Sequence, residues 1–281
     1  MTRFSLVLAT LNRTVELERF VLSLNRQEQA SVQLIVIDQN PDDRLVPILA
    51  KLTSSIDLLH LRSAPGLSKA RNVGLKHVDG NVVAFPDDDC WYPDGVLAYV
   101  QSRLESSSDI DGITGRSTDG AGEASAGNFD KSAGPVDLKT VWGRGISFAI
   151  FVRRTLAERI GDFDESLGVG AGTRFGSGEE TDYLIRGLKL GARFWYDPEL
   201  IVYHPNPVAN YDVKARARGY SYGVGMGRVL SKHGYPASFL ARSVIRPFAG
   251  FALSVATFRF SKAAYHLNIS RGRLLGIWAK P

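Results

Sequence analysis

The sequence predicts an α/β fold with a Rossmann-like, mostly parallel central sheet, helices on both faces and a small helical C-terminal extension. Two observations predict this class of fold. Apolar, β-rich runs alternate with helical patterns over the first half of the chain, as in consecutive β-α-β units. The chain has 281 residues, of which 44% are hydrophobic, so it is long enough to bury one sizeable core.

The first half of the chain contains four predicted strands and three predicted helices. The strands are the apolar runs Phe4–Thr10, Val32–Asp38, Ile56–Leu61 and Asn81–Phe85. The helices have apolar residues at helical spacing and cover Thr14–Gln27, Asp42–Leu52 and Leu67–His77. Ligands of such sheets bind at the carboxyl ends of the strands, so the polar residues that follow each strand are the first candidates for a site.

The second half is less regular. Gly112–Pro135 is rich in Gly, Ala and Ser, which predicts a flexible connection or insertion. After it we predict a strand over Ile146–Val152 and a helix over Glu179–Leu190. The segment Ala192–His204 is predicted to form two short strands separated by a turn at Asp197–Pro198.

Charge divides the chain near Asn210. Val213–Pro281 contains twelve Lys and Arg residues and no Asp or Glu, whereas the rest of the chain has 22 basic and 29 acidic residues. We therefore predict a main domain over residues 1–210, with one half at about 1–115 and the other at about 136–210. Residues 211–281 are predicted to form a basic, mainly helical extension.

The basic extension suggests two alternatives, a helical pair packed on the main domain or a segment that rests on an anionic membrane surface. Its apolar stretch Pro247–Phe258 has 12 residues, fewer than the roughly 20 that cross a bilayer, so we expect it to lie on a membrane and not to span one. The extension has no recognised nucleic-acid module, and no nucleic-acid partner is expected. A single cysteine, Cys90, and an N-terminus without an export signal predict a cytoplasmic protein, peripheral to the membrane if the extension binds lipid.

Three consecutive aspartates follow the fourth predicted strand. In an extended backbone Asp87 and Asp89 point the same way, with Asp88 between them on the opposite side. Such oxygen ligands suit Mg²⁺ or Mn²⁺ held together with substrate phosphates. The alternative is that one aspartate caps the next helix, but a cap does not require three acids, and the metal interpretation is favoured.

Three further features flank the predicted sheet. Asp38 ends the second strand, where an acid is equally typical of a turn. Gly66–Asn72 opens a helix with a Gly, a hydroxyl and two cations, which suits an anion but also an ordinary basic helix start. His204 ends the last predicted strand and is a metal ligand or, as lone histidines more often are, a structural residue.

A carboxylate cluster begins the predicted helix at Glu179. Glu179, Glu180 and Asp182 lie in its first turn, after a glycine-rich loop that starts at Gly168. Acids favour helix N-termini in any protein. A carboxylate at the end of a loop is also what removal of a proton from a hydroxyl requires, so the three are candidates for a general base.

Taken in order, these segments resemble family 2 of the inverting glycosyltransferases, which have the GT-A fold. The matching segments cover Phe4–His204 and are VLATLNR, QLIVIDQNPDD, GLSKARNVGLKHVDGNVVAFPDDDCWYP and GSGEETDYLIRGLKLGARFWYDPELIVYH. The resemblance implies metal-dependent transfer of a hexose from a nucleotide-diphosphate donor, with UDP favoured, to a hydroxyl of a glycan or lipid-linked acceptor. It also implies a role in cell-envelope or polysaccharide synthesis, a nucleotide-sugar half before residue 115 and an acceptor half from 136.

The resemblance assigns the donor site to residues near the strand ends. Asp38 is implied to contact the base, with Thr10 and Asn12 on the loop beside it. Arg71 is implied to lie near the ribose or the diphosphate.

The same resemblance assigns the metal site and the base. Asp87 and Asp89 are implied to take the Asp-x-Asp roles at the ribose and the metal, and His204 to complete the metal shell. The stretch from Asp89 to Pro93 is one residue shorter than the common pattern, so the assignment of Asp88 against Asp89 stays open. Glu180 aligns with the catalytic base, usually an aspartate, so Glu179 and Asp182 stay open as alternatives.

Two other functions are compatible with the sheet architecture. A sugar nucleotidyltransferase requires a glycine-rich, arginine-containing loop after the first strand, and the sequence there is LATLNR without a glycine. A non-catalytic sugar-nucleotide-binding protein would not require both the three aspartates and the Glu179–Glu180 pair.

Overall fold

The computed structural model describes residues 2–28, 30–206 and 210–279, which fall into two compact units. The first unit consists of Met1–Pro65, Lys69–Phe163 and Tyr183–Asn206. The second consists of Gly66–Ser68, Asp164–Asp182 and Pro207–Pro281.

The first unit is built on one mixed sheet of eight strands in the order β3-β2-β1-β4-β7-β5-β8-β6. The strands are β1 (Arg3–Thr10), β2 (Ser31–Asp38), β3 (Ile56–Arg62), β4 (Val82–Ala84), β5 (Gly112–Thr118), β6 (Gly134–Pro135), β7 (Ile150–Arg153) and β8 (Phe194–Tyr203). The pairs among β1 to β4 and the pair β5–β8 are parallel, while β7 and β6 pair antiparallel with their neighbours. The predicted α/β class with a mostly parallel sheet is confirmed.

The parallel half follows directly from the apolar runs. Both β1 and β2 are buried along nearly their whole length, as expected for strands covered on two faces. Their register pairs Thr10 with Asp38. The carboxyl ends of these two strands therefore lie side by side, and the residues that follow them share one edge of the sheet.

The helices before residue 210 are α1 (Val15–Leu24), α2 (Val46–Leu49), α3 (Leu67–Leu75), α4 (Val96–Ser106), α5 (Val141–Arg144), α6 (Arg154–Ile160) and α7 (Glu179–Lys189). The predicted helices over Thr14–Gln27, Leu67–His77 and Glu179–Leu190 are present with small changes at their ends. The prediction for Asp42–Leu52 is wrong in length, because only Val46–Leu49 is helical. Asp42 accepts hydrogen bonds from the backbone and side chain of Arg44, which stabilises a turn in place of a first helical turn.

The prediction of a flexible connection over Gly112–Pro135 is wrong for its first seven residues, which form β5 between β7 and β8. The glycines there permit close packing. A Cβ on Gly115 would lie 2.6 Å from Cγ of Leu200 and would also meet the Leu200 carbonyl, and one on Gly112 would lie 2.9 Å from the carbonyl of Phe151. Glycine composition in this segment therefore reflects a crowded strand and not a mobile loop.

Two more predictions differ in detail. The strand predicted over Ile146–Val152 begins with a 3-10 turn at Ser147–Ala149 and becomes extended at Ile150. The two strands predicted within Ala192–His204 are one strand, β8, whose pairing with β5 shifts register between Tyr196 and Ile201. The Asp197–Pro198 interruption is thus a bulge and not a turn, because a proline cannot donate to the ladder.

The second unit contains α8 (Val213–Lys232), α9 (Ala237–Ala256) and α10 (Phe260–Trp278). Helices α8 and α10 approach through glycines. A Cβ on Gly223 would lie 2.7 Å from the carbonyl of Ile269, and one on Gly276 would lie 2.9 Å from the backbone nitrogen of Arg228. The two backbones are therefore in contact, as in small-xxx-small helix pairs.

Helix α9 corrects the length of the apolar segment that was predicted at Pro247–Phe258. The first ten residues of that segment, up to Ala256, belong to a 20-residue helix in which an 18-residue window has a mean hydropathy of 1.3, which by length and composition alone is sufficient to cross a bilayer. The predicted length of 12 residues was too short because the apolar pattern continues before Pro247, through residues that include Leu240, Val244 and Ile245.

Candidate active site

The carboxyl ends of β1 and β2 are joined by a polar network. Asp38 is fully buried, and its Oδ1 accepts hydrogen bonds from the backbone and side-chain nitrogens of Asn40 at 2.8 and 2.7 Å. Its Oδ2 lies 3.0 Å from Nε2 of His60 and 3.4 Å from a guanidinium nitrogen of Arg62. Asn12 has a left-handed backbone with φ 60° and donates its N–H to Oδ1 of Asn40 at 2.7 Å. Asp38 thus fixes the loop at this edge, and its contact with a base stays a prediction.

The three aspartates extend the line of β4 beyond its last residue. Asp87 forms an isolated parallel bridge with Ala9 of β1, so the backbone is still paired there. Asp87, Asp89 and His204 each offer a ligand atom, and these atoms lie within 4.8 Å of one another. Two carboxylates and one imidazole, from the ends of two strands, therefore converge at one point of the first unit.

Asp87 is held by two donors. Arg71, which is buried, donates to its Oδ1 at 2.9 Å, and the Ser147 hydroxyl lies 3.3 Å from both oxygens. The arginine lies over the ring of Phe163 at 5.4 Å, which keeps it in place. Burial nevertheless raises the pKa of Asp87 above its usual value, against the opposing charge of Arg71.

Asp88 and Asp89 share one arginine, Arg13, on the loop after β1. Its Nε lies 3.3 Å from Asp88, and its terminal nitrogen contacts Asp89. Burial raises the pKa of Asp88 to about 7 despite the charge of Arg13. Burial also acts to raise the pKa of Asp89, but the hydrogen bond and charge of His204, together with Arg13, lower it to about 2.

His204 follows β8, and its ring is fixed on three sides. Nε2 lies 3.0 Å from Asp89, Nδ1 lies 2.6 Å from the carbonyl of Pro205, and the ring stacks on Phe148 at 4.8 Å with 13° between the planes. Burial acts to lower the pKa of His204, but the hydrogen bond and charge of Asp89 outweigh it and raise that pKa.

The convergent residues fit a divalent cation. Hard carboxylate oxygens are the ligands of Mg²⁺ and Mn²⁺, and an imidazole is compatible with Mn²⁺. The pKa of Asp87 is raised, so the charged form of this carboxylate is disfavoured as it stands. A cation between Asp87, Asp89 and His204 would stabilise that charge, and the same three residues would hold it.

The candidate bases lie at the start of α7. Glu179 is buried and Glu180 is half-buried. Asp182 is fully buried and lies 2.6 Å from Nζ of Lys232 and 2.8 Å from Nε2 of His233. Asp182 thus ties the start of α7 to the end of α8 within the second unit, which favours a structural role for it.

The glycine-rich loop before α7 is closely packed against the start of α3. Gly168 has φ 100°, and a Cβ there would lie 3.1 Å from the carboxyl of Glu179 and 3.2 Å from the hydroxyl of Ser68. Ser68 donates to the carbonyl of Leu167 at 2.7 Å. The loop is therefore shaped by a left-handed glycine that brings its backbone next to a candidate base.

The structure brings together a subset of the predicted site residues. Five that lie together in the first unit are Arg71, Asp87, Asp88, Asp89 and His204. Thr10, buried at the end of β1, lies beside Asp38 in the register, with Asn12 on the loop that follows. Glu179, Glu180 and Asp182 belong to the first turn of α7, and their roles stay predictions.

Sequence reasoning missed three residues that contact the aspartates and His204. Arg13, Ser147 and Phe148 contact Asp89, Asp87 and His204, respectively. Arg13 lies in the quoted segment VLATLNR, so its place after a strand end was an available signal. No local pattern marks Ser147 and Phe148, because they reach the site only through the 3-10 turn before β7.

The chain is similar in sequence to known proteins. The model of Glycosyl transferase family 2 matches residues 5–160 of the chain. GalNAc(5)-diNAcBac-PP-undecaprenol beta-1,3-glucosyltransferase of Campylobacter jejuni is 28% identical over 107 residues, which are 37% of this chain and 35% of that protein. The first curated relatives are matched over between 35% and 63% of their own length.

Solved structures show the same fold at lower identity. Mannosyltransferase PcManGT from Pyrobaculum calidifontis, in complex with GDP-Man and Mn²⁺, has a TM-score of 0.68 at 14% identity and covers 99% of this chain and 87% of its own. S. aureus TarS 1-349 in complex with UDP-GlcNAc has a TM-score of 0.61 at 16% identity and covers 97% of this chain and 90% of its own. The fold is therefore that of the GT-A glycosyltransferases.

Proposed function

Because the chain belongs to glycosyl transferase family 2, we propose that it transfers a hexose, with inversion and with a divalent cation, from a nucleotide-diphosphate donor to an acceptor hydroxyl. The convergence of Asp87, Asp89 and His204 at the strand ends carries this proposal. Carboxylate oxygens of this kind are the ligands of a divalent cation that also binds a diphosphate. PcManGT and TarS, which share the fold, were solved with nucleotide sugars.

The donor lies along the carboxyl edge of the sheet in this proposal. Asn12, Thr10 and the loop fixed by Asp38 form the base and ribose end, with UDP favoured as the nucleotide. Arg71 and Asp88 lie toward the diphosphate. Bound Mg²⁺ or Mn²⁺ supplies electrostatic stabilisation of the departing diphosphate, and Asp87, Asp89 and His204 hold it.

Glu180 serves as the general base. The acceptor oxygen forms a bond with the anomeric carbon, the bond from that carbon to the diphosphate oxygen breaks, and the hydroxyl proton passes to the Glu180 carboxylate. A single displacement of this kind inverts the anomeric centre. Glu180 is favoured over Glu179 and Asp182 because it is half-buried, whereas the other two are buried.

The acceptor is a glycan or a lipid-linked saccharide of the cell envelope or of a polysaccharide. The C. jejuni relative carries a polyprenol-linked substrate in its name. A lipid-linked acceptor would place the reaction at the cytoplasmic face of a membrane.

A thermal-shift screen tests the donor and metal part of the proposal. Nucleotide diphosphates and nucleotide sugars are added with and without Mn²⁺, and a ligand that binds the folded state raises the Tm. We expect a shift that requires Mn²⁺ and is lost in Asp89→Asn. Asp94→Asn is the matched control, because Asp94 lies five residues on and is 76% exposed. A shift that is independent of Mn²⁺, or equal in the two variants, would contradict the metal site.

Glu180→Gln separates catalysis from donor binding. The variant is expected to keep the Mn²⁺-dependent thermal shift and to lose turnover, because the amide cannot accept the proton. NMR of the product reports the anomeric configuration. Full turnover by Glu180→Gln would exclude it as the base, and a product with the anomeric configuration of the donor would exclude inversion.

A further inference from the structure

Helix α9 exposes its large apolar side chains and buries its small ones. Ser243, Pro247 and Ser254 are its buried residues. Leu253 is 67% exposed, and Phe258 and Phe260, just after the helix, are 80% and 64% exposed. The helix of a water-soluble protein has the opposite arrangement, with its apolar stripe toward the core.

The contacts of α9 with α10 explain why α9 buries small residues and exposes large apolar ones. Ser270 donates to the carbonyl of Val244 at 3.0 Å and Arg273 to the carbonyl of Ser243 at 2.7 Å. A Cβ on Gly250 would lie 3.1 Å from the ring of His266. The contact thus consists of small residues and hydrogen bonds, which is how helices associate when their outer surfaces face lipid.

The segment Val213–Pro281, which contains α8 to α10, carries only positive charge. The exposed residues Arg242, Arg246 and Arg259 flank the apolar residues of α9, and Val213–Pro281 contains no acidic residue. Burial and the nearby charge of Arg246 lower the pKa of Arg273 to about 10, so these cations repel one another. A surface of negative phosphates would relieve that repulsion.

We propose that α9 and the Phe258–Phe260 turn form a membrane-docking face that inserts into the surface of an anionic phospholipid bilayer. The apolar side chains Ile245, Phe248, Leu253, Phe258 and Phe260 enter the acyl boundary, and the flanking arginines bind lipid phosphates. This inference goes beyond sugar transfer, since it holds whatever the donor or acceptor.

The docking face inserts into the membrane surface and does not span the bilayer. Arg246 is the tenth of the twenty residues of α9, so a spanning helix would place its charge near the bilayer centre, where an arginine is strongly disfavoured. In the interface the same arginine reaches the phosphates while Leu253 and Phe258 enter the acyl region.

Vesicle flotation of the full chain tests the proposal. One set of vesicles contains phosphatidylcholine alone and the other contains phosphatidylcholine and phosphatidylglycerol in equal parts. We expect binding to the anionic vesicles that is weakened by salt. Alkaline carbonate should release the bound protein, since an interfacial helix is not anchored across the bilayer.

The variants Leu253→Ser and Phe258→Ser should each weaken binding about tenfold, in line with the loss of one inserted apolar side chain. Val15→Ser is the matched control, because Val15 is 77% exposed on α1 and should leave binding unchanged. Unchanged Tm values show that the variants fold. Absence of binding to anionic vesicles, equal binding by Leu253→Ser, or resistance to carbonate would overturn the proposal. So would a solution dimer that Leu253→Ser dissociates without any effect on vesicle binding.

Discussion

Replacing Asp182 tests whether this candidate base is part of the fold. Its carboxylate is 0% exposed and lies between Lys232, which is 26% exposed, and His233, which is 5% exposed. Asp182→Asn removes the negative charge and leaves the Lys232 ammonium with Asp164 as its remaining ion pair, 2.7 Å away.

The structure sets the expected loss of stability. Removing one partner of a buried ion pair costs about 3–5 kcal/mol because the other charge stays buried. Lys232 keeps Asp164 and is partly exposed, so the lower end, about 3 kcal/mol, applies here. At 2–4 °C per kcal/mol for a chain of this size, the Tm should fall by about 6–12 °C.

Thermal unfolding followed by circular dichroism measures the change, with Asp162→Asn as an exposed control that should change stability by less than about 0.5 kcal/mol. Below its own Tm, Asp182→Asn should retain turnover. An unchanged Tm with abolished turnover would refute the structural role and make Asp182 the base.

Three further predictions concern other parts of the chain. Gly115→Ala should lower the urea midpoint by an amount equivalent to about 1–3 kcal/mol, because the added Cβ meets β8. Gly120→Ala is the control and should leave the midpoint unchanged, because the nearest contact of its Cβ is Trp91 at 3.5 Å. Equal midpoints for the two variants would contradict close packing of β5. Arg13→Ala should tighten Mn²⁺ binding about fivefold in calorimetry, because Mn²⁺ no longer competes with the Arg13 guanidinium for Asp89. Weaker Mn²⁺ binding by the variant would show that Arg13 supports the site. Burial acts to raise the pKa of Asp164, but Lys232 lowers that pKa. The ionised Asp164 should therefore stabilise the fold above about pH 4, and this stabilisation should be lost as the pH falls further. Asp164→Asn should remove that part of the acid transition, and an identical pH profile of stability in the variant would exclude this contribution.

The parallel half of the sheet could be predicted because each strand is a continuous apolar run followed by a polar turn. β5 could not, because its glycines match the composition of a loop and their reason is the proximity of Leu200 and Phe151 from other strands. Short-range patterns report burial of side chains but not the approach of two backbones.

The proximity of Asp87, Asp89 and His204 could be predicted from the sequence, but the side chains that contact them could not. The spacing of Asp87 and Asp89 and the position of His204 after a strand are visible in the sequence. The contacts of Ser147 with Asp87 and of Phe148 with His204 join residues about 60 apart in the chain, and no pattern encodes them. Likewise the apolar residues of α9 were visible, but their outward direction depends on what α10 presents to the helix.

The carbonyl of Pro205 determines the tautomer of His204. A carbonyl oxygen only accepts, so Nδ1 at 2.6 Å must carry the hydrogen in every protonation state. The neutral ring then has its lone pair on Nε2, the atom that points at Asp89. With Phe148 stacked on one face, the imidazole would change from ion-pair donor to metal ligand by losing one proton if a cation bound there, without rotation about its side-chain bonds.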